Sequence, residues 1–276
     1  MDPLLIVIAT AALASAFCWV ASLITKDTSW VDRLWSIVPV VYVWIFAGAA
    51  LAEGQDATRL VLMAVLVTAW GARLTFNFAR KGGYSGMEDY RWAILRRRMS
   101  PTLFPLFNLF FIVVYQMTLL VLITLPAAVA AAHPSALTAA DIVLATLFAA
   151  FLIGETVADQ QQWRFHEAKA RGDAEGFLST GLFAYSRHPN FFFEQAQWWA
   201  LYAIGATAAV TGGRGFWGGA LNPTIIGPAL LTLLFVGSTV FTESISASKY
   251  PAYADYRKTT SMLIPLPRSR TRRAVS

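Results

Sequence analysis

The residues most suited to chemistry form the run Ser-Arg-His-Pro-Asn-Phe-Phe-Phe-Glu, which ends at Glu194. Proline favours the first position of a helix, so Pro189 predicts a helix start that His188 caps. The free N–H groups and the positive dipole end of that helix, next to Arg187, are suited to binding a phosphate or a carboxylate. Asn190 and Glu194 lie four residues apart and share one helix face. The alternative is an ordinary capped helix whose cations face lipid headgroups.

Other polar side chains stand inside apolar stretches, where an ionisable group costs at least ~2.5 kcal/mol at the centre of a bilayer. Arg73, Asn77, Glu155 and Glu194 all fall toward the same, positively charged end of their predicted helices. Together they could line a cavity that opens at that end. For Arg73 the alternative is a side chain that reaches up to the lipid headgroups.

Three further features are candidates for a site, and two of them have two interpretations each. Gln116 stands near the middle of a predicted span, where its amide either hydrogen-bonds a neighbouring helix or contacts a substrate. Asp159 recurs with Glu155 at helical spacing on one face, beyond the end of an apolar stretch. Tyr253 and Tyr256 also share a face, and they either bracket an aromatic ring and phosphates or anchor at the membrane interface.

These residues must be positioned by membrane-spanning helices, each of which needs about 20 mostly apolar residues. Seven stretches qualify or come close, so we predict an all-α polytopic membrane protein with about seven transmembrane helices. The first stretch has no basic segment before it, so we expect a retained helix rather than a signal peptide. The predicted spans are 4–24, 34–52, 60–78, 107–131, 142–157, 191–210 and 225–241.

The distribution of Lys and Arg predicts the orientation. Most of the 22 Lys and Arg residues follow the odd-numbered spans, whereas Arg59 and Arg214 stand on the opposite side. The positive-inside rule therefore predicts an outside N-terminus and a cytoplasmic C-terminus.

Composition agrees with a membrane class. Of 276 residues, 57% are hydrophobic and 14% charged, whereas soluble domains carry about 25% charged residues. The single cysteine, Cys18, excludes an intrachain disulfide, and the three histidines lack further ligands at metal-binding spacing, so no metal is expected. Because the positive charge is spread along one membrane face, a nucleic acid partner is not expected. We predict one transmembrane domain, 1–265, and a basic cytoplasmic tail, 266–276, that attracts anionic lipid headgroups.

From about the third span onward, the sequence resembles the steroid 5-alpha-reductase superfamily, in particular its bacterial membrane branch of unknown function. The likeness rests on Thr-Gly-Leu-Phe-Ala-Tyr-Ser-Arg-His-Pro-Asn-Phe, on Glu194, and on the ending from Tyr253 through Leu-Ile-Pro. The Arg-Lys-Gly-Gly turn after Arg73, and Asp159 with Gln162, fit the same pattern. The Arg-His-Pro-Asn-aromatic core is also similar to isoprenylcysteine carboxyl methyltransferases, so it does not identify the cofactor.

The resemblance implies a seven-helix reductase that holds NADPH on its cytoplasmic side and reduces a carbon–carbon double bond of a steroid-like or polyprenoid enone lipid. By position, Asn190 and Glu194 would contact the nicotinamide-ribose end, and Asp159 would also contact the cofactor. A bacterial inner membrane is the expected location. The phosphates and adenosine would be surrounded by Arg73, Arg80, Lys81, Arg187, His188 and Tyr256, with Tyr253 on the same helix face as Tyr256.

One departure from the pattern concerns the substrate. Steroid reductases carry a Gln-Glu pair near the second helix and a Tyr three residues before the arginine that matches Arg73, whereas this chain reads Trp-Val-Asp-Arg-Leu-Trp around Asp32 and holds Trp70 at the tyrosine position. Trp cannot donate a phenolic proton, and reduction of an enone needs an acid near its carbonyl. Tyr115 and Asp32 are the candidate acids, and Trp70 and Gln116 are the candidate substrate contacts.

Two other functional classes stay open. The first is an S-adenosylmethionine-dependent methyltransferase, for which Glu243 and the aromatic-basic segment after it are available. The second is a transporter or membrane scaffold without enzymatic activity, although no internal repeat supports it. The oligomeric state and the identity of the lipid are not predicted.

Overall fold

The computed structural model describes residues 1–269, in which the only β-pairing is a single bridge between Ser186 and Ser261. The chain is 78% helical, which confirms the all-α prediction. The α-helices are α1 (Pro3–Thr25), α2 (Trp30–Trp35), α3 (Val38–Ala52), α4 (Thr58–Arg80), α5 (Tyr90–Arg98), α6 (Leu103–Phe107), α7 (Gln116–Ala132), α8 (Ala139–Arg171), α9 (Pro189–Ala209), α10 (Gly215–Ala220), α11 (Ile226–Lys249) and α12 (Tyr253–Thr259).

Six of the seven predicted spans, within the described part of the chain, are helices long and apolar enough to cross a membrane, so the protein is a polytopic membrane protein. The remaining prediction corresponds to α9, which is long enough at 21 residues but carries carboxylate and amide side chains. The predicted fifth span, 142–157, is the middle of the longer helix α8, because helix-forming residues such as Glu, Gln and Ala continue the helix where the apolar pattern stops. The orientation of the termini stays a prediction.

The chain divides into two compact units, both discontinuous in sequence. Unit 1 contains Met1–Ala145 and Ala200–Pro228, and unit 2 contains Thr146–Trp199 and the chain from Ala229 onward. Helices α8, α9 and α11 each contribute residues to both units. The prediction of one domain followed by a basic tail stays a prediction, and most of that tail lies outside the described residues.

Unit 1 is a helical bundle in which α3 packs against α1, α4 and α7. Its core contains large side chains, including Tyr42, Phe46 and Trp70. Close approach of the chain is needed at Gly71, where an added Cβ would stand 2.5 Å from the Ser36 carbonyl oxygen. Small residues at such crossings let helix backbones approach closely in a membrane.

Unit 2 pairs the C-terminal part of α8 with the N-terminal part of α9. Side-chain contacts join Asp159 to Asn190 and Glu155 to Gln197. Because the residue number of the contact on α8 falls as the residue number on α9 rises, the two helices run antiparallel. A Cβ at Gly154 would stand 2.7 Å from the Phe193 ring, so this contact also depends on the absence of a side chain.

Candidate functional site

The start of α9 is at Pro189, as predicted. The preceding turn is held by Ser186, whose hydroxyl accepts a hydrogen bond from the His188 backbone N–H at 3.1 Å and donates to the Leu263 carbonyl at 2.6 Å. Ser186 is completely buried. The hydrogen bonds of Ser186 therefore hold the Arg187–His188 turn in place independently of the contacts that the Arg187 and His188 side chains make.

Arg187 and His188 both bind the carboxylate of Glu243 on α11. Arg187 makes a bidentate contact, from Nε to Oε1 at 2.6 Å and from its terminal nitrogen to Oε2 at 3.1 Å. His188 Nε2 lies 3.2 Å from Oε1, and Arg257 Nε lies 3.3 Å from Oε2. Three basic side chains thus share one buried carboxylate, and we call these four residues the Glu243 cluster.

The other side of the Arg187 guanidinium binds the C-terminal segment. Its remaining terminal nitrogen donates to the Arg257 carbonyl at 3.1 Å and to the Thr260 carbonyl. The Arg187 backbone N–H donates to the Ser261 carbonyl at 2.8 Å. Farther along, Arg268 donates to the Ala184 carbonyl at 3.1 Å. Arg187 therefore ties the segment that contains Arg257, Thr260 and Ser261 to the start of α9, a role that its sequence position did not indicate.

The two predicted tyrosines lie in an aromatic cluster around Phe177. The Tyr253 and Tyr256 rings lie 4.9 and 5.2 Å from the Phe177 ring, and Tyr250 lies 5.9 Å from it. The Tyr256 hydroxyl donates to the Phe183 carbonyl at 2.5 Å. Burial, with a smaller contribution from the charge of Glu243, raises the pKa of Tyr253 to about 12.

Helices α8 and α9 bury a row of polar side chains in unit 2, which we call the α8–α9 polar face: Glu155, Asp159, Asn190, Glu194 and Gln197. All are buried or nearly so. The Asn190 amide nitrogen donates to Asp159 at 3.4 Å, and the Gln197 amide nitrogen donates to Glu155 at 2.7 Å. Asn190, Glu194 and Gln197 follow helical spacing within α9, which places Glu194 on the same face of that helix.

The glycine in the Thr-Gly-Leu-Phe segment has a specific role in the same unit. Gly181 has a φ of +62°, and an added Cβ would stand 2.5 Å from the Gln161 side chain. Gln161 on α8 accepts a hydrogen bond from the Leu182 backbone N–H at 2.9 Å. Gly181 thus lets the segment that precedes Arg187 dock onto α8.

The predicted cofactor ligands Arg73, Arg80 and Lys81 belong to unit 1. Arg73 lies about two turns before the C-terminal end of α4, Arg80 is its last residue, and Lys81 follows it. Arg80 Nε donates to the Asn77 side chain at 2.9 Å, and its guanidinium lies 5.6 Å from the centre of the Phe76 ring.

The candidate substrate and catalytic residues of unit 1 have separate partners. Asp32 accepts a hydrogen bond from the Trp92 indole at 3.0 Å, and the Tyr115 ring stacks on Phe111 with centroids 5.3 Å apart. Trp70 is completely buried and Gln116 almost so. The structure gives no contact that joins Asp32 to Tyr115, so their shared role as acids stays a prediction.

Loop residues next to α2 form a charged network that the sequence analysis did not identify. Glu88 accepts hydrogen bonds from the backbone N–H and hydroxyl of Thr28, at 3.0 and 2.7 Å, and pairs with Arg96 at 2.5 Å. Burial raises the pKa of Glu88, but the hydrogen bonds from Arg96 and Thr28 outweigh it and lower the pKa below its usual value. The network fixes the chain that leads into Asp32.

A second network missed by the sequence analysis involves Arg59, which had served only to predict orientation. Arg59 makes a bidentate contact with Asp141 at 2.9 and 2.8 Å and donates to Ser135 and Ala136. Thr138 donates to Asp141 from its backbone at 2.7 Å. Thr-Ala-Ala-Asp before an apolar run is a capping-box pattern, and this signal predicts the start of α8 but not the arginine.

The chain is similar to known proteins over most of its length. Residues 18–260 match the family described as "Protein of unknown function (DUF1295)". The chain belongs to this family. It is related to steroid 5-alpha-reductase-like membrane proteins, which supports the resemblance at its coarser level. "Uncharacterized protein C594.04c" of Schizosaccharomyces pombe (strain 972 / ATCC 24843) is 38% identical over 266 residues, which cover 90% of this chain and 75% of that protein. No solved structure matches the chain.

The family match includes every predicted site residue, from Asp32 to Tyr256. Unit 2 brings Asp159 together with Asn190, and Arg187 together with His188 and Glu243. Among residues 1–269, no three His, Cys, Asp or Glu side chains are grouped so that they could hold a metal ion. The yeast relative shows that the likeness extends to a eukaryote, and a bacterial origin stays a prediction.

Proposed function

We propose that this member of the DUF1295 family is an NADPH-dependent membrane reductase of a carbon–carbon double bond in an enone lipid, steroid-like or polyprenoid. The supporting observation is in unit 2, where the α8–α9 polar face and the Glu243 cluster adjoin through the consecutive residues Arg187 to Asn190. Polar and ionisable groups are costly within a membrane span, so five of them on one buried face favour a functional site over packing alone.

The residues of the polar face fit the amide end of the cofactor. The Asn190 carboxamide is a partner for another carboxamide, and the carboxylates of Asp159 and Glu194 are acceptors for ribose hydroxyls. Asp159 orients the Asn190 amide through their hydrogen bond. NADPH, when bound, supplies the hydride, and the protein's own groups bind, orient and exclude water.

The fit at the phosphate end is different from the sequence prediction. Arg187 uses four of its five N–H groups on Glu243 and on the C-terminal carbonyls. We therefore assign Arg187 to positioning rather than to direct contact with a phosphate. Arg257 is half exposed, at 52%, and two arginines against one carboxylate leave a positive charge in the Glu243 cluster that suits an anion.

Ligand-dependent melting of the protein in detergent tests the proposal. A ligand at 100 times its dissociation constant adds about 2.7 kcal/mol to the folded state. We expect a higher Tm with NADPH, a smaller change with NADH, and none with S-adenosylmethionine. A shift with S-adenosylmethionine alone would contradict the reductase proposal, and no shift with any nucleotide would favour a transporter or scaffold.

Substitution on α9 tests the site. Asn190→Ala and Glu194→Ala should each abolish the NADPH-dependent shift while the protein stays monodisperse in detergent. Gln195→Ala is the matched control, because the Gln195 amide donates only within its own helix, to the Phe191 carbonyl at 2.9 Å. Unchanged NADPH binding in both site variants would remove the assignment of this face.

A second candidate function is an S-adenosylmethionine-dependent methyltransferase. The observation that favours it is the buried carboxylate of Glu243 beside the start of α9, since a carboxylate is a partner for the cationic ligand's ammonium group. Against it, that carboxylate is already bound by three basic side chains. We further propose that the site faces the cytoplasm of a bacterial inner membrane, which rests on the distribution of Lys and Arg alone.

A further inference from the structure

The hydroxyl of Tyr42 in unit 1 is an unused hydrogen-bonding group. Tyr42 lies on α3 and is 0% exposed, and its hydroxyl has no hydrogen-bond partner among the described residues. Buried polar atoms in proteins are normally paired, and bulk water cannot serve one in the hydrocarbon region of a membrane. A phenylalanine would fill the same space without this cost, so the hydroxyl needs a partner that the folded chain itself does not supply.

A second unused polar atom lies on a neighbouring element of the same unit. Asn108 is 5% exposed and donates from its amide nitrogen to the Ser22 hydroxyl at 3.0 Å. Its amide oxygen has no partner within residues 1–269. Ser22 in turn donates to the Trp19 carbonyl at 2.8 Å.

Helix α1 connects the two atoms. Helix α1 packs against α3, which carries Tyr42, and against the segment that begins at Asn108, and its Cys18 and Ser22 are buried. Cys18 and Ser22 are four residues apart on one face of α1, about 6 Å along the helix axis. Tyr42 and Asn108 therefore both belong to elements that pack against α1, and Asn108 contacts that helix directly at Ser22.

Asn108 also begins a segment of unusual geometry. Residues Asn108–Tyr115 form a π-helix between α6 and α7. Widened helices of this kind are frequent at functional sites, where they shift side chains out of the regular register. The candidate acid Tyr115 ends the same segment.

We propose that unit 1 binds the carbonyl oxygen of the lipid substrate, with the Tyr42 hydroxyl as the hydrogen-bond donor. This inference rests on the proposed reductase function for the substrate class, and it assigns a residue that the sequence pattern did not indicate. A hydrogen bond from a phenol polarises the carbonyl of an enone, and Trp70 at the family's tyrosine position has no phenolic proton to supply.

The ligand-free protein provides the first test. If the Tyr42 hydroxyl has no partner, Tyr42→Phe should keep or raise the Tm in detergent, because it removes an unpaired polar group without changing the packing. Tyr202→Phe is the matched control in unit 1, since the Tyr202 hydroxyl donates to the Ala220 carbonyl at 2.6 Å, and its loss should lower the Tm. A Tm of Tyr42→Phe that falls as far as that of Tyr202→Phe would overturn the proposal.

Binding of an enone probe without nucleotide provides the second test. Cholest-4-en-3-one and the carbonyl-free cholest-4-ene are compared on the wild type, Tyr42→Phe and Tyr202→Phe. We expect the wild type and Tyr202→Phe to bind the enone about tenfold more tightly than the carbonyl-free sterol, because one hydrogen bond to the carbonyl accounts for about that ratio of dissociation constants. Tyr42→Phe should lose that preference. An equal preference in all three proteins, or no binding of the enone to the wild type, would overturn the proposal.

These measurements are independent of the cofactor. Loss of the enone preference in Tyr42→Phe together with an unchanged NADPH-dependent shift places Tyr42 at the carbonyl and leaves the unit 2 assignment intact. If NADPH fails to bind the wild type while the enone preference persists, the reductase proposal fails and the carbonyl site stands. A Tyr42→Phe variant that keeps the enone preference removes the carbonyl site and says nothing against NADPH.

Discussion

Arg59 in unit 1 and Arg187 in unit 2 each make a bidentate contact with a carboxylate, and their side chains are only 3% and 8% exposed. All five N–H groups of Arg59 are satisfied, by Asp141 and by the segment around Ser135. Asp141 is fully buried and also caps the start of α8. This pair has no capacity left for a further ligand.

Arg187 is arranged differently, because its carboxylate is shared. Glu243 also contacts His188 and the half-exposed Arg257. The remaining donors of Arg187 bind backbone carbonyls of the C-terminal segment rather than a loop beside its own partner. A buried ion pair whose hydrogen bonds are all made stabilises the fold, whereas a carboxylate with three basic neighbours can lose one of them to a ligand and stay paired. Burial of an ion pair is therefore not evidence of function until the partners of each atom have been assigned.

The largest effect is expected from breaking the Arg59–Asp141 pair. Arg59→Met leaves Asp141 as an uncompensated buried charge and should lower the free energy of unfolding by about 3–5 kcal/mol. The measurement is thermal or denaturant unfolding in detergent. The double variant Arg59→Met, Asp141→Leu should recover part of the loss, since it removes both charges, and a single variant as stable as the wild type would contradict the structural role.

Glu243→Gln should have a smaller effect, about 1.5–3 kcal/mol, because hydrogen bonds to a charged group are lost while the carbonyl contacts of Arg187 stay. The same unfolding measurement checks it, with Ser244→Ala as the neighbouring control, since Ser244 donates only to the Phe241 carbonyl of its own helix. If Glu243→Gln destabilises as much as Arg59→Met, the two clusters have the same structural character and the distinction between them is wrong.

The sequence predicts the local features of the fold better than the two networks themselves. The residues around Arg187, the start of α9 at Pro189 and the shared face of Asn190 and Glu194 follow from local rules of helix capping and spacing. The six long apolar helices follow from composition and length. These parts of the prediction depend on residues close together in the chain. The structure confirms the helix start at Pro189 and the six long apolar helices.

Long-range partners were not predictable in the same way. Asp141 lies 82 residues from Arg59, and Glu243 lies 56 residues from Arg187, so no local pattern pairs them. Tyr42 stands in an apolar run, so the sequence predicts an ordinary core residue. Only the structure shows that its hydroxyl lacks a hydrogen-bond partner in the described chain. Phosphate binding by Arg187 was inferred from its position beside a helix start, whereas the contacts that support our proposal of a positioning role come from distant parts of the chain.

Tyr256→Phe examines the C-terminal side of the Glu243 cluster. Loss of the hydrogen bond to the Phe183 carbonyl should cost about 1 kcal/mol. Burial and the neighbouring Tyr253 raise the pKa of Tyr256, so the folded state holds the phenol proton more tightly than the unfolded state. Its stabilisation is complete below pH about 10 and is lost as the pH rises through the folded pKa. Melting between pH 8 and pH 11 should therefore show a smaller alkaline loss in Tyr256→Phe, and equal slopes would exclude this titration.

The smallest effect is expected at Glu88, whose charged network in unit 1 is partly exposed. Hydrogen bonds from Arg96 and Thr28 outweigh the effect of burial and lower the pKa of Glu88, so its stabilisation is present above the unfolded pKa and is lost as the pH falls through the folded pKa. Glu88→Gln should cost less than about 1 kcal/mol at pH 7 and flatten the acid limb of the Tm profile below pH about 4.5. Glu53→Gln is the control, because Glu53 is exposed and contacts only the nearby Gln55 side chain in the described structure. If Glu53→Gln flattens the profile as much as Glu88→Gln, the acid sensitivity belongs to general surface charge rather than to the Thr28–Glu88–Arg96 contacts.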